Sequence, residues 1–332
     1  MRITDIVVSQ PAGFRGFRFY LIVTLFILSL VASANAQEVR YYPVPKGALP
    51  HDVAPAPDNT VWYTAQAQGA LGILDPKTGK VTQVSLGRNA APHGVIVGPD
   101  RAAWITDSGL NAIARYDPAT KAVKLFPLPK EFPDANLNTA TFDRKGILWF
   151  TGQSGVYGRV DPATGKVEAW KAPKGYGPYG ITTTPNGEVW YASLAGDHIA
   201  KIDTVSGDAL VVPPPKPGVG PRRIWSDSKG LLWVSFWLTG EVARFDPMNK
   251  AWKVWSLPRA KSGCYAVYVD DKDKVWLTDF SANAIVRFDP ATEKFDSFPS
   301  DRRGASVRQL LGRPGEVWGA ESGTDRLVVV RD

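Results

Sequence analysis

Along most of this chain, apolar and polar residues alternate with the period of β-strands, in short runs interrupted by Gly, Pro, Asp and Asn. One stretch shows the pattern clearly. His93 to Val97 reads as a first strand, A, and Ala102 to Thr106 as a second, B. Ala112 to Tyr116 follows as C and Ala122 to Phe126 as D, with turn-forming residues in each gap. Nowhere does helical periodicity with caps replace this alternation. The unit then recurs: Trp62, Trp104, Trp149, Trp190, Trp233, Trp276 and Trp318 share one register, spaced 42, 45, 41, 43, 43 and 42 residues apart. An Asp-Pro pair keeps phase with them at Asp75, Asp117, Asp161, Asp246 and Asp289, and Asp203-Thr204 is a degenerate copy.

Four short strands per unit, repeated at this period, predict an all-β fold, a seven-bladed β-propeller of four-stranded antiparallel blades. A solenoid would need capping repeats, and none is visible. The seventh unit supplies only three strands, Val307 to Leu311, Glu316 to Ala320 and Leu327 to Val330. An orphan strand-D segment, Glu38 to Pro45, is expected to complete it and so close the ring by pairing the N-terminal strand into the last blade. One tryptophan in phase in every unit is read as inter-blade core rather than as a stack for substrate.

Ahead of the repeats lies a different segment. Arg2, Arg15 and Arg18 precede an apolar run from Phe19 to Ala32, and Ala34-Asn35-Ala36 follows. Together these predict a signal peptide over residues 1–36, removed before Gln37, and a single propeller domain over 37–332 in the periplasm or outside the cell. The apolar run is too short to span a bilayer, so no membrane anchor is expected after cleavage. The formal charge of +7 falls to about +5 with the segment, which carries three Arg and one Asp. The remaining charges are scattered rather than clustered, which argues against nucleic acid as a partner. Cys264 is the only cysteine, so no intramolecular disulfide can form and the core alone must hold the ring. A monomer with a small-molecule or peptide-like ligand in the central funnel is expected.

In a propeller the A strands line the axis, and the start of A and the end of B lie on one face. Eleven residues before each repeat tryptophan stand His51, His93, Asn138, Tyr179, Arg222, Tyr265 and Val307, the last with Arg308 beside it. Three residues after each stand Ala65, Asp107, Gly152, Ser193, Phe236, Asp279 and Glu321. Core positions repeat from blade to blade, while these differ and are mostly polar, which is what a ligand requires and a scaffold does not. Two of the three histidines, His51 and His93, hold equivalent places in neighbouring blades, each after a proline. Imidazole suits both proton transfer near neutrality and metal binding, so these two are the candidate catalytic residues. Asn138, Tyr179, Arg222 and Tyr265 are candidate substrate-binding residues, and Asp107, Asp279 and Glu321 are candidate metal ligands. His198, beside Asp197, is read as a surface residue. Asp270 to Asp273 is read as an exposed A–B turn on the opposite face, and Trp225 and Trp237 as aromatic lining near the mouth or as packing.

The phrases Pro92-His93-Gly94-Val95, Gly98-Pro99-Asp100, Trp104-Ile105-Thr106-Asp107 and Asn111-Ala112-Ile113-Ala114-Arg115 resemble the repeat of the streptogramin B lyases, the virginiamycin B lyase type above all. The similarity runs over nearly the whole chain from about residue 39 to 332. It implies elimination at the ester of a cyclic depsipeptide, with a magnesium ion and a histidine base. Carried over, it makes His93 the base, His51 the partner acid or orienting group, and Asp107 a help in holding the ion. The family's Glu before one Pro-His pair has no counterpart, since Leu49 and Ala91 stand there. The alternatives are a non-catalytic periplasmic binding or interaction propeller and a lactonase-type hydrolase.

Overall fold

The structure, a computed structural model, describes residues 37–259 and 263–331; the expected signal segment lies outside the described residues. Seven four-stranded antiparallel sheets form a ring of blades. The innermost strands, A, are Pro50–Pro55, Pro92–Val97, Leu137–Phe142, Pro178–Thr183, Pro221–Ser226, Cys264–Val269 and Val307–Arg313. Each contacts the next, and the seventh returns to the first. Blade seven is completed by Glu38–Pro43, which pairs with Arg326–Arg331 from Glu38 opposite Arg331 to Pro43 opposite Arg326. The closure expected from the orphan segment is therefore present. Tyr42 packs against Trp318 with ring centroids 5.4 Å apart, tying the first strand to the last blade's core.

Burial falls from the axis outward. Six of the seven B strands, for instance Val61–Ala65 and Leu148–Gly152, are buried at every residue, whereas the D strands are mostly half-buried or exposed. All seven repeat tryptophans are buried on B, as inter-blade packing predicts. Six of them donate their indole N–H to a carboxylate, in the A–B turn as Trp149 does to Asp143 and Trp276 to Asp270 or, for Trp318 and Glu316, at the start of the B strand itself. That bond satisfies the one polar atom that burying a tryptophan would otherwise strand.

Two features of the A strands shape the axis. Every A strand is bulged near its start, between Pro50 and Val53, Pro92 and Gly94, Leu137 and Ala140, and so on round the ring. A bulge re-aims side chains, so two successive residues of each strand turn towards the axis. Hydroxyls on B then clasp neighbouring blades. Thr64, Thr106, Thr151 and Ser235 donate to the carbonyls of His93, Asn138, Tyr179 and Tyr265 in the next blade. The same oxygens accept the N–H groups of Asp52, Gly94, Thr139 and Arg223 in their own blade. A side chain is excluded where the strands come closest: a Cβ on Gly180 would stand 2.7 Å from the Arg223 Cα.

Candidate functional site

The hydroxyl clasps hold the backbone of the very residues that the repeat register singled out. His51, His93, Asn138, Tyr179, Arg222 and Tyr265 take equivalent positions at the bulges. In blade seven the equivalent is Arg308, not Val307. Trp276 pairs with Tyr268, eight residues before it, but Trp318 pairs with Leu311, seven before it, because the last A–B turn is one residue shorter. Counting back from the tryptophan therefore lands one place early in that blade.

The structure brings the two candidate catalytic histidines into contact, with ring centroids 3.7 Å apart and exposures of 3% and 5%. His51 Nδ1 lies 2.8 Å from Asp52 Oδ1. A carboxylate only accepts, so this nitrogen carries the proton and Nε2 is left with its lone pair. Asp52 in turn receives Arg223 from blade five at 3.0 Å. The same guanidinium donates to Thr139 Oγ1 at 2.7 Å, and that hydroxyl donates to Asn138 Oδ1 at 2.8 Å. With its oxygen so engaged, Asn138 turns its amide Nδ2 to His93 Nε2 at 3.3 Å. His93 Nε2 is then the acceptor, and its Nδ1–H is buried with no partner. One arginine thus fixes both rings: His51 presents a bare acceptor and His93 a bare donor.

Electrostatics keep both rings neutral. Burial, followed by the nearby guanidiniums of Arg223, Arg308 and Arg222, holds His51 well below its ordinary value of 6.5. Burial, then the neighbouring His51, does the same to His93, with Asp52 opposing. Burial also pushes the Asp52 carboxyl up, against the pull of Arg223. Three guanidiniums face a single carboxylate here, so the axis is positive.

The other half of the ring is aromatic. Tyr179 and Tyr265 share a hydrogen bond of 2.6 Å, and Arg222 donates to Tyr179 at 2.9 Å while its guanidinium sits 3.7 Å over the Tyr265 ring. Trp237 and Phe280 pack against Tyr265 from outside. Burial pushes the Tyr179 hydroxyl up to about 12. Tyr265 is also raised by burial, but Arg222 and Arg223 bring it below its ordinary value. Of the two tryptophans expected as lining near the mouth or as packing, Trp237 lies at this face, whereas Trp225 lines the channel beyond it.

The three candidate metal carboxylates are not brought together. Asp107 Oδ1 accepts from the N–H groups of Ala91 and Leu110, and Asp279 Oδ1 from Ala282. Glu321 is held by Arg326, Ser300 and Thr324. Each braces a loop at the end of its own B strand. His198 is buried, not a surface residue; its Nδ1–H donates to the Gly196 carbonyl at 2.9 Å. Asp52, Arg223, Thr139 and Gln309 were missed by the sequence reading. They follow the ring positions by one residue, and strict strand alternation would send them away from the axis. Their signal was the same as the ring's: this position also changes from blade to blade.

The sequence profile of the virginiamycin B lyase family matches residues 30–156 and 80–332. The chain belongs to that family. Among solved structures, virginiamycin B lyase from Staphylococcus aureus is 20% identical with a TM-score of 0.82, over 90% of this chain and 100% of that one. A streptogramin B lyase is 20% identical with a TM-score of 0.81, over 89% of this chain and 97% of that one. A catalytically inactive variant of the Staphylococcus aureus enzyme with quinupristin superposes equally well, at 0.82 and 20% identity over 90% and 100% of the two chains. At this identity the likeness shows the fold. No curated protein matches the chain in sequence.

A metal ion is expected from the resemblance, so the donors decide whether one fits. Among the described residues, His51, Asp52 and His93 form the one group whose ligand atoms lie within 4.8 Å of one another. Two imidazoles and a carboxylate are a set for a borderline ion, whereas magnesium takes oxygen ligands in an octahedron. Both Asp52 oxygens already face the Arg223 guanidinium, at 3.0 to 3.5 Å. A magnesium ion would have to displace that guanidinium and sit among two further arginines. The residues present do not fit it.

Proposed function

We propose that this propeller opens an ester in a cyclic or peptide-like small molecule by elimination, with His51 and His93 as its proton-transfer pair. The observation that carries the reading is their contact at the axis, one presenting an acceptor and the other a donor. In this reading His51 Nε2 takes the proton from the carbon next to the carbonyl. The electron pair of that C–H bond forms a carbon–carbon double bond, the adjacent carbon–oxygen bond breaks, and the acyl group leaves as a carboxylate. His93 Nδ1–H and the Arg222 guanidinium receive the developing charge. The roles are the reverse of those expected from the sequence, because Asn138 occupies the acceptor nitrogen of His93. Asn138 acts as an orienting group, and Tyr179, Tyr265 and Arg222 form the wall against the substrate. The reaction takes place outside the cytoplasm, in a monomer freed of residues 1–36.

Quinupristin tests this. The expected product is a linear isomer of unchanged mass carrying a new double bond, whereas a hydrolase would add one water. His51→Ala and His93→Ala should each lower the rate by about a hundredfold or more. Chelator should leave the rate unchanged, since guanidiniums rather than a metal supply the positive charge. Unaltered quinupristin in the presence of folded protein contradicts the reading. A second reading, ligand binding without turnover, is favoured by the 3% and 5% exposure of the histidines. Saturable binding of quinupristin, followed by its recovery unchanged, would decide for it.

A further inference from the structure

The axis contains a second compartment that the histidine ring does not touch. A cavity of about 300 Å³ occupies the channel from the layer just past the ring to the A–B turns. None of His51, His93, Asn138, Tyr179, Arg222, Tyr265 or Arg308 lines it. Its walls are apolar, with Val97, Phe142, Ile181, Trp225, Leu310 and Leu311 among them, and its closed end is polar, with Arg223, Asp52, Thr139 and Gln309. Volume and lining are those of a small-molecule pocket.

The geometry points to a binding site here for a small amphipathic monocarboxylate, its anionic head on Arg223 and Gln309 and its apolar body among the channel walls. Arg223 is 4% exposed, and while its two terminal nitrogens are engaged, its Nε is buried with no partner. A stranded donor on a buried guanidinium calls for an acceptor, and since Asp52 offsets only Arg223, the nearby Arg308 guanidinium, outside the lining but close enough to act on Asp52, favours a negative one. Gln309 Oε1 accepts the Val53 N–H at 2.9 Å, so its amide hydrogens remain to be offered. A neutral apolar molecule would leave both donors unmet, and a dianion would exceed the charge they can offset.

The site is independent of the elimination reaction but shares Arg223 with it.

Isothermal titration of the folded chain with 4-phenylbutyrate and hexanoate, against the corresponding amides, tests the inference. Each carboxylate should bind at least about tenfold more tightly than its amide, the margin expected of a charge-assisted hydrogen bond. Leu311→Trp, which fills the channel without touching the polar residues, should abolish binding, and Gln309→Leu should weaken it. Arg223→Met is informative only if folded, which is why the channel-filling variant carries the test. Equal affinity for acid and amide overturns the proposal. So does unchanged binding by Leu311→Trp, which would place the ligand at the histidine face, and so does the absence of binding by either acid. Because titration reads binding alone, failure to turn over quinupristin leaves these outcomes intact.

Discussion

At the scale of single residues, the account turns on Arg223. It reaches from blade five to Asp52 in blade one and to Thr139 in blade three. Removing it leaves a buried carboxylate unpaired, and Arg223→Met should cost about 3–5 kcal/mol in denaturant unfolding. The Asp52→Asn, Arg223→Met double variant should recover part of that loss, since neither charge is then stranded; a fully additive loss would argue against the pair. The histidines give a second residue-scale expectation. His51, His93 and His198 are all held below 6.5 by burial, so the unfolded chain takes up their protons first. Stability should be level above that pH and fall as pH drops through the window beneath it. A His51→Gln, His93→Gln variant should show a flatter decline in Tm over the same window; an unchanged slope would assign the decline to other groups.

At the scale of strands, the hydroxyl clasps carry the argument. Thr106 and Thr151 each satisfy a backbone N–H in their own blade and a carbonyl in the next. Replacing either by valine keeps the shape and strands both groups, at a cost of about 1–3 kcal/mol by denaturant titration. A loss below a few tenths would show the clasp to be incidental. The strands themselves were legible from alternation, and Ala112–Tyr116 is found at its expected bounds. The bulges were not. They depend on how the A strands crowd at the axis, which alternation along one strand does not encode. That is why Asp52 and Arg223 lay outside the sequence expectation while His51 and His93 did not; in blade seven it is the shorter A–B turn that puts the count on Val307 instead of its neighbour Arg308.

At the scale of the whole molecule, the tryptophan register predicted the number of blades, and the three-strand seventh unit predicted the closure. Both are local patterns repeated. What repetition cannot show is which non-repeating residues meet across the axis: Asp107, Asp279 and Glu321 share a ring position yet brace separate loops. The closure strand has its own consequence. Without residues 38–43 the edge of Arg326–Arg331 is unpaired and Tyr42 no longer covers Trp318. A chain beginning at residue 44 should melt at least several degrees lower and self-associate through that edge; a monomer of unchanged Tm would contradict the stapling role.

The central claim is that the axial pair is neutral, with its protons placed by the Arg223 network. With three histidines in the chain, ¹⁵N-detected imidazole spectra near neutral pH can resolve each ring. His51 and His93 should both appear as neutral Nδ1–H tautomers, and both should lose that fixed state in a folded Arg223 variant. An imidazolium, or an Nε2–H tautomer at either ring, would contradict it.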